Sequence, residues 1–191
     1  MSRLDQLIQL LAEQSVQQGF FRLASGQNSR LYIDARLTTM TPEGLALIGP
    51  LGLSAIQHSG WEVAALGGLT LGADPITYAI SYASAVTDTP LRAFTVRKET
   101  KQHGTAKRIE GPFKVGDHVA IIEDVITTGR SALQAVSVVQ SMGGVVAGVL
   151  ALVDREEGGR ARIEAEGLPI ITLTRVAELT QYLENSSSKG N

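Results

Sequence analysis

A chain of 191 residues with 43% hydrophobic content carries enough apolar side chain for one cored domain, which excludes a disordered protein. A formal charge of −2 argues against a general electrostatic grip on nucleic acid, and zero cysteines exclude disulfides and thiolate metal sites and fit a cytoplasmic setting. The expected partner is a small molecule, with neither nucleic acid nor membrane.

Met1 to Gln18 carries Arg3, Asp5 and Glu13 among its apolar residues, so it reads as an amphipathic helix and lacks the unbroken hydrophobic segment of a secretory signal. Gly19 to Arg36 reads as extended chain broken at Ser25-Gly26-Gln27-Asn28-Ser29, with Leu31 and Ile33 facing opposite to Tyr32 and Asp34, as in a hairpin or small cap. Pro42 suits an early helical position, and Leu45, Ile48, Leu51 and Ala55 continue an apolar stripe up to Gly60. A strand at Val63 to Leu66, a turn at Gly67 to Pro75, a helix through Tyr82, a strand at Leu91 to Val96 and a polar loop follow.

Val119 to Ile122 reads as a buried parallel strand, and Ser131 to Met142 as a helix with Leu133, Val136, Val139 and Met142 on one face and Gly143 as its stop. Val145 to Val153 is a further strand, and as the longest apolar run it falls far short of the roughly 20 residues a membrane helix needs. Ile170 to Leu173 forms the last strand, before a short helix with Val176, Leu179 and Leu183 and a tail, Asn185 to Asn191, expected to be flexible. The alternation predicts an α/β fold, a parallel sheet flanked by helices, in one domain over residues 1–191 whose first 40 or so residues supply a helix and a hood. Ligands of such sheets sit at the carboxyl ends of the strands.

The central turn lies at such an end. Val119-Ala-Ile-Ile-Glu-Asp-Val-Ile-Thr-Thr-Gly-Arg-Ser131 runs from strand through two carboxylates into a hydroxyl-rich turn that opens a helix, where unpaired N–H groups and the positive helix end favour a phosphate. By themselves Glu123 and Asp124 serve equally well as caps of the turn; joined to Thr127, Thr128, Gly129, Arg130 and Ser131 they read as a sugar-phosphate site, with the carboxylates suited to vicinal ribose hydroxyls. The P-loop spacing of nucleotide hydrolases is missing. Gly67 to Pro75 could cradle a second phosphate or form an ordinary tight turn. Arg97-Lys98-Glu99-Thr100-Lys101-Gln102-His103-Gly104 is either a solvated loop or one that closes over a departing anion. Arg155, just past a strand, either recognises a planar carboxylate or forms a surface salt bridge with Glu156 or Glu157. His58 and His118 have no supporting partners nearby in sequence and read as structural.

The strand, acid pair and threonine turn resemble the phosphoribosyl pyrophosphate motif of type I phosphoribosyltransferases. Within that family, Arg97-Lys98-Glu99-x-Lys101-x-His103-Gly104 leading to Ile109-Glu110-Gly111 is similar to the catalytic loop of the orotate-specific branch, and Phe21 to Gly26 with Ser29, Tyr32, Asp34 and Arg36 is similar to its substrate-covering segment. The resemblance implies transfer of a phosphoribosyl group from phosphoribosyl pyrophosphate to orotate with Mg2+ held mainly by substrate oxygens and no direct protein ligand. It implies catalytic roles for Lys101, His103 and Asp124, and phosphoribosyl pyrophosphate contacts from Arg97, Lys98, Lys101, His103, Glu123, Asp124 and Thr127 to Ser131. Orotate would meet Thr127 and Arg155, and in a homodimer Lys98, Lys101 and His103 would reach the neighbouring subunit's site. Three positions depart from the usual pattern: Ala24 where many relatives have Lys, Glu123 in place of the commoner Asp, and Arg130 where a small residue is frequent. A phosphoribosyltransferase for another base, and a noncatalytic regulator that binds phosphoribosyl pyrophosphate, are the alternatives.

Overall fold

The computed structural model describes residues 1–22, 28–99 and 107–188. Helix α1 (Arg3–Gln14) starts at a capping box, in which the Ser2 hydroxyl accepts the Asp5 N–H and the Asp5 carboxylate accepts the Ser2 N–H. The helix ends before the expected Gln18, because Val16 begins strand β1 (Val16–Arg22), which pairs antiparallel with β2 (Asn28–Ile33). The β-branched and aromatic residues Val16, Phe20 and Phe21 favour that pairing over another helical turn. These two strands form a small separate sheet, the expected hood, with Ile33 buried and Tyr32 turned outward.

A short helix α2 (Arg36–Thr39) leads to α3 (Pro42–His58), whose Thr41 cap accepts the Gly44 N–H at 3.0 Å. Then come β3 (Ala65–Leu69), α4 (Ala73–Ser84), β4 (Arg92–Val96), β5 (Ile109–Glu110), β6 (His118–Ile126), α5 (Arg130–Ser141), β7 (Val145–Asp154), α6 (Gly159–Ala165), β8 (Ile170–Arg175) and α7 (Val176–Ser188). The expected strand at Val63 to Leu66 is thus displaced toward Gly67 and Gly68, which belong to the strand and not to a turn. A side chain at Gly68 would collide with the Ile122 carbonyl and one at Gly67 with Phe94, so their glycines serve close packing within the sheet. Asn185 to Ser188, expected to be flexible, continue α7; Ser187 and Ser188 hydroxyls donate to the Leu183 and Glu184 carbonyls one turn back.

The main sheet has the order β5-β4-β3-β6-β7-β8, parallel except for β5, which runs antiparallel to β4. The centre of the sheet is buried on both faces, so β6 reads as a continuous apolar run whose side chains alternate between two cores. Ala120 and Ile122 pack with α1, α3 and α4, whereas Val119 and Ile121 pack with α5. Burying isoleucines such as Ile121 and Ile122 completely contributes about 2–3 kcal/mol each. That apolar investment holds the strand rigid up to the point where its chemistry changes.

Candidate active site

At Glu123 the apolar alternation of β6 is interrupted by two carboxylates while the ladder to β7 continues to Ile126. Strand parity assigns Glu123 to the α5 side and Asp124 to the α4 side. Asp124 lies against Gly72, where any side chain would strike its carboxylate. Glycine at 72 therefore leaves the space that Asp124 occupies, an assignment that composition alone could not separate from turn formation. Together with Tyr32, Asp34 and Arg36 of the hood end, Thr70 and Leu71 of the turn after β3, Lys98 and Ser131, the two acids line a polar crevice of about 260 Å³.

Glu123 is nearly enclosed, and its Oε2 has no hydrogen-bond partner among the described residues. Burial, followed by the neighbouring Asp124 charge, holds its carboxyl well above the ordinary glutamate range, against a smaller opposing pull from Lys98. Asp34 is the opposite case. Arg36 grips it through two bonds, Nε to Oδ1 at 2.7 Å and Nη2 to Oδ2 at 2.8 Å, and these hold the Asp34 carboxyl below its usual range.

Beside the acids, Val125 to Ala132 wrap a second, much smaller hollow that Glu123 also lines. Its floor turns at Gly129, which has φ 72° and caps α5 without any side-chain bond. The left-handed backbone there suits glycine, and the first turn of α5 presents N–H groups without intrahelical acceptors. Thr127, Thr128, Gly129, Arg130 and Ser131 are thus brought together around one small hollow.

The turn after β3 is braced from beneath. The buried Asp74 accepts the Thr70 hydroxyl at 2.7 Å and the Thr95 hydroxyl at 2.8 Å, and Thr95 in turn meets the Tyr78 hydroxyl at 2.8 Å. Asp74 joins β3, α4 and β4 below the crevice; sequence reading missed this because Thr95 lies on a separate strand.

The cationic segment is divided. Lys98 lines the crevice of its own chain, whereas Arg97 turns to Glu110 of β5, Nε to Oε1 at 2.8 Å, and does not line the crevice. The base of the loop is fastened by Gln134 Nε2 and Arg108 Nη2 donating to the Lys98 carbonyl at 3.2 and 3.5 Å, the latter at the limit of a hydrogen bond. Lys101, His103 and Ala24 lie outside the described residues.

Arg155 follows the last residue of β7, and its N–H donates to the Ile126 carbonyl at 2.9 Å, next to Thr127. The guanidinium is buried, bonded by Nη2 to Glu157 Oε1 at 2.8 Å and to the Leu31 carbonyl of the hood at 3.3 Å. The Glu157 pairing is the alternative that the sequence left open; its arginine is buried, whereas Glu157 lies at the surface. His58 Nδ1 pairs with the Ser54 carbonyl at 2.7 Å, and exposed His118 opens β6 at the opposite end from the site, which agrees with structural roles.

A mostly parallel sheet with an acid pair near the carboxyl end of a central strand, beside a glycine turn that opens a helix, is the arrangement expected of a type I phosphoribosyltransferase. No family model matches the chain, but curated relatives do. Orotate phosphoribosyltransferase of Aquifex aeolicus is 48% identical over 159 residues, 83% of this chain and 86% of the relative; that of Thermosynechococcus vestitus is 42% identical over 182 residues, 95% of each. The crystal structure of Mycobacterium tuberculosis orotate phosphoribosyltransferase in complex with phosphoribosyl pyrophosphate superposes with a TM-score of 0.79 at 38% identity, covering 94% of this chain and 99% of that one. The chain belongs to the orotate phosphoribosyltransferase family.

Proposed function

We infer that the chain transfers the 5-phosphoribosyl group of phosphoribosyl pyrophosphate to N1 of orotate, giving orotidine 5'-monophosphate and pyrophosphate on the route to UMP. The observation that carries this reading is the Glu123–Asp124 pair standing directly beside the uncapped start of α5, two anchors for one phosphorylated pentose. Glu123 and Asp124 accept the ribose hydroxyls, and Thr127 to Ser131 donate to the 5'-phosphate. Lys98, Lys101 and His103 are assigned to the pyrophosphate, with Arg97 joining them once it exchanges Glu110 for the anion. Arg155 and Thr127 take the carboxylate and ring edge of orotate.

The bond from the anomeric carbon to pyrophosphate breaks with its electron pair leaving on oxygen, while the orotate N1 anion supplies the pair for the new bond on the opposite face. Positive charge gathers on the ribose and negative charge on the leaving group, so positioning and opposing charge supply the rate and no covalent protein nucleophile is needed. Among the described residues no group of three His, Cys, Asp or Glu side chains could hold a metal. The open carboxylate crevice fits a Mg2+ ion held mainly by diphosphate and ribose oxygens, where it would neutralise the diphosphate.

The same reading takes residues 1–191 as one domain, working as a cytoplasmic homodimer. An apolar groove between α3 and α4, edged by exposed Leu45, Tyr78 and Tyr82, supports a second copy as neighbour. Among the described residues no helix is long and apolar enough to cross a membrane. With orotate, phosphoribosyl pyrophosphate and Mg2+, orotate absorbance should fall in step with pyrophosphate release, and Lys101→Ala should slow single-turnover chemistry by about 100-fold. Release of no pyrophosphate with orotate as acceptor would overturn the reading.

A further inference from the structure

Arg155 is not waiting open for a ligand. Its Nη2 already holds a carboxylate oxygen, that of Glu157 at 2.8 Å; the arginine side chain is shielded at 6% exposure while the glutamate, at 27%, reaches the solvent. The loop is bent to achieve this. Asp154, the buried last residue of β7, accepts the Glu156 N–H on Oδ1 at 2.8 Å and Arg160 Nε on Oδ2 at 3.2 Å. Glu156 between them adopts φ 57°, a left-handed conformation that costs a side-chain-bearing residue about 1 kcal/mol or more. Gly158 follows at φ 87° and opens α6. The left-handed turn at Glu156 brings residue 157 round to face residue 155, two positions back.

We propose that Glu157 is a built-in stand-in for the substrate's carboxylate: it occupies Arg155 while the base site is empty and is exchanged for the carboxylate of orotate when the base binds. This rests on the assignment of Arg155 to orotate. A guanidinium taken out of water needs a partner, and removing one member of such a pair strands the other. Glu157 supplies a charged partner between turnovers, beside the Leu31 carbonyl. Because it is more exposed than Arg155, it can swing outward and regain water when it is displaced. The exchange swaps one carboxylate for another, so net charge at the site is kept. Orotate affinity is therefore set by the difference between two ion pairs rather than by one, and the carboxylate of the nucleotide product meets the same competition on leaving. A neutral pyrimidine cannot take part in the exchange and leaves Arg155 with Glu157.

The test compares Glu157→Gln, Glu157→Asp and Arg155→Ala by steady-state kinetics and by calorimetric titration with orotate and orotidine 5'-monophosphate. Glu157→Gln should lower the KM for orotate and the Kd for the product about three- to tenfold, the net worth of one ordinary hydrogen bond. The KM for phosphoribosyl pyrophosphate should stay put and uracil should gain nothing. Glu157→Asp, which keeps the charge, should return orotate affinity toward the native value. Unchanged or weakened orotate binding in Glu157→Gln, with Arg155→Ala raising the KM at least tenfold, would sink the stand-in while leaving the base assignment intact. An Arg155→Ala protein that still binds phosphoribosyl pyrophosphate and keeps the native KM for orotate would remove the base assignment and this inference together.

Discussion

Glu123 is the residue at which stability and function pull in opposite directions. The apolar positions of β6 before it gain from burial, but an enclosed carboxylate with one oxygen unpartnered among the described residues loses its hydration. Its raised pKa follows from that burial first and from the Asp124 charge second. The folded protein therefore holds this proton more firmly than the unfolded chain does. Stability from the neutral form is present below the ordinary glutamate value of 4.5 and is lost as pH rises through the raised folded value. Glu123→Gln removes the titration, so the ligand-free variant should match the native protein near pH 4 and be more stable by about 1–3 kcal/mol once the native carboxyl has ionised. Thermal melts across this range check it; at about 2–4 °C for each kcal/mol the difference is measurable. The same variant should bind phosphoribosyl pyrophosphate more weakly, because an amide is a poorer acceptor for ribose hydroxyls. A native protein whose stability relative to Glu123→Gln does not change with pH would show that the carboxyl is hydrated in solution.

Between elements, the critical join is Asp74 of α4, whose buried carboxylate takes two hydroxyl bonds, one from the turn after β3 and one from β4. Asp74→Asn keeps the volume but replaces one acceptor by a donor facing a hydroxyl. The expected loss is about 1–2 kcal/mol of stability together with a raised KM for phosphoribosyl pyrophosphate, since Thr70, Leu71 and Gly72 line the crevice. Denaturant titration and initial-rate kinetics measure the two, and a stability loss with unchanged KM would mean that the turn is held in place by its backbone alone. Networks of this kind separate what the sequence made legible from what it hid. Strand β6 and helix α5 stand out because their apolar spacing and the punctuation at Gly129 and Gly143 are local, and so do Thr127 to Ser131. Gly67 and Gly68 mislead because glycine signals a turn by itself, whereas its purpose here is set by Phe94 and Ile122 on neighbouring strands. Helix α6 went unseen because Gly158-Gly159 interrupts its start and only Gly159 and Ile163 of its seven residues are buried. The preference of Arg97 for Glu110 likewise depends on a strand 13 residues away.

For the whole molecule, the open question is which crevice the cationic loop serves. Lys98 lies in the crevice of its own chain, and Lys101 follows only three residues later. Three residues of extended chain span at most about 10–11 Å, enough to cross a subunit boundary only if the neighbour's crevice opens close by. If Lys101 and His103 act on a neighbouring subunit's substrate, as proposed, a dimer should contain two composite sites. Co-expression of Lys101→Ala with Asp124→Asn separates the two arrangements. Each variant alone lacks one half of every site and should be nearly inactive. In a random mixture, half of the dimers carry one of each chain; if the loop acts across the interface, one of their two sites is whole, and about a quarter of native activity returns. If the loop serves its own crevice, every site keeps one defect and nothing returns. Specific activity of co-purified dimers bearing two different affinity tags reads the outcome directly, with about half the native value expected for pure heterodimers of the crossing arrangement. A sedimentation experiment on the same samples checks the assembly itself: substitution of exposed Tyr82 by Asp should shift the native protein toward the monomer if the groove between α3 and α4 is the shared face. Loss of activity on that dissociation, with phosphoribosyl pyrophosphate binding retained, would place the lysine of one chain in the chemistry of the other.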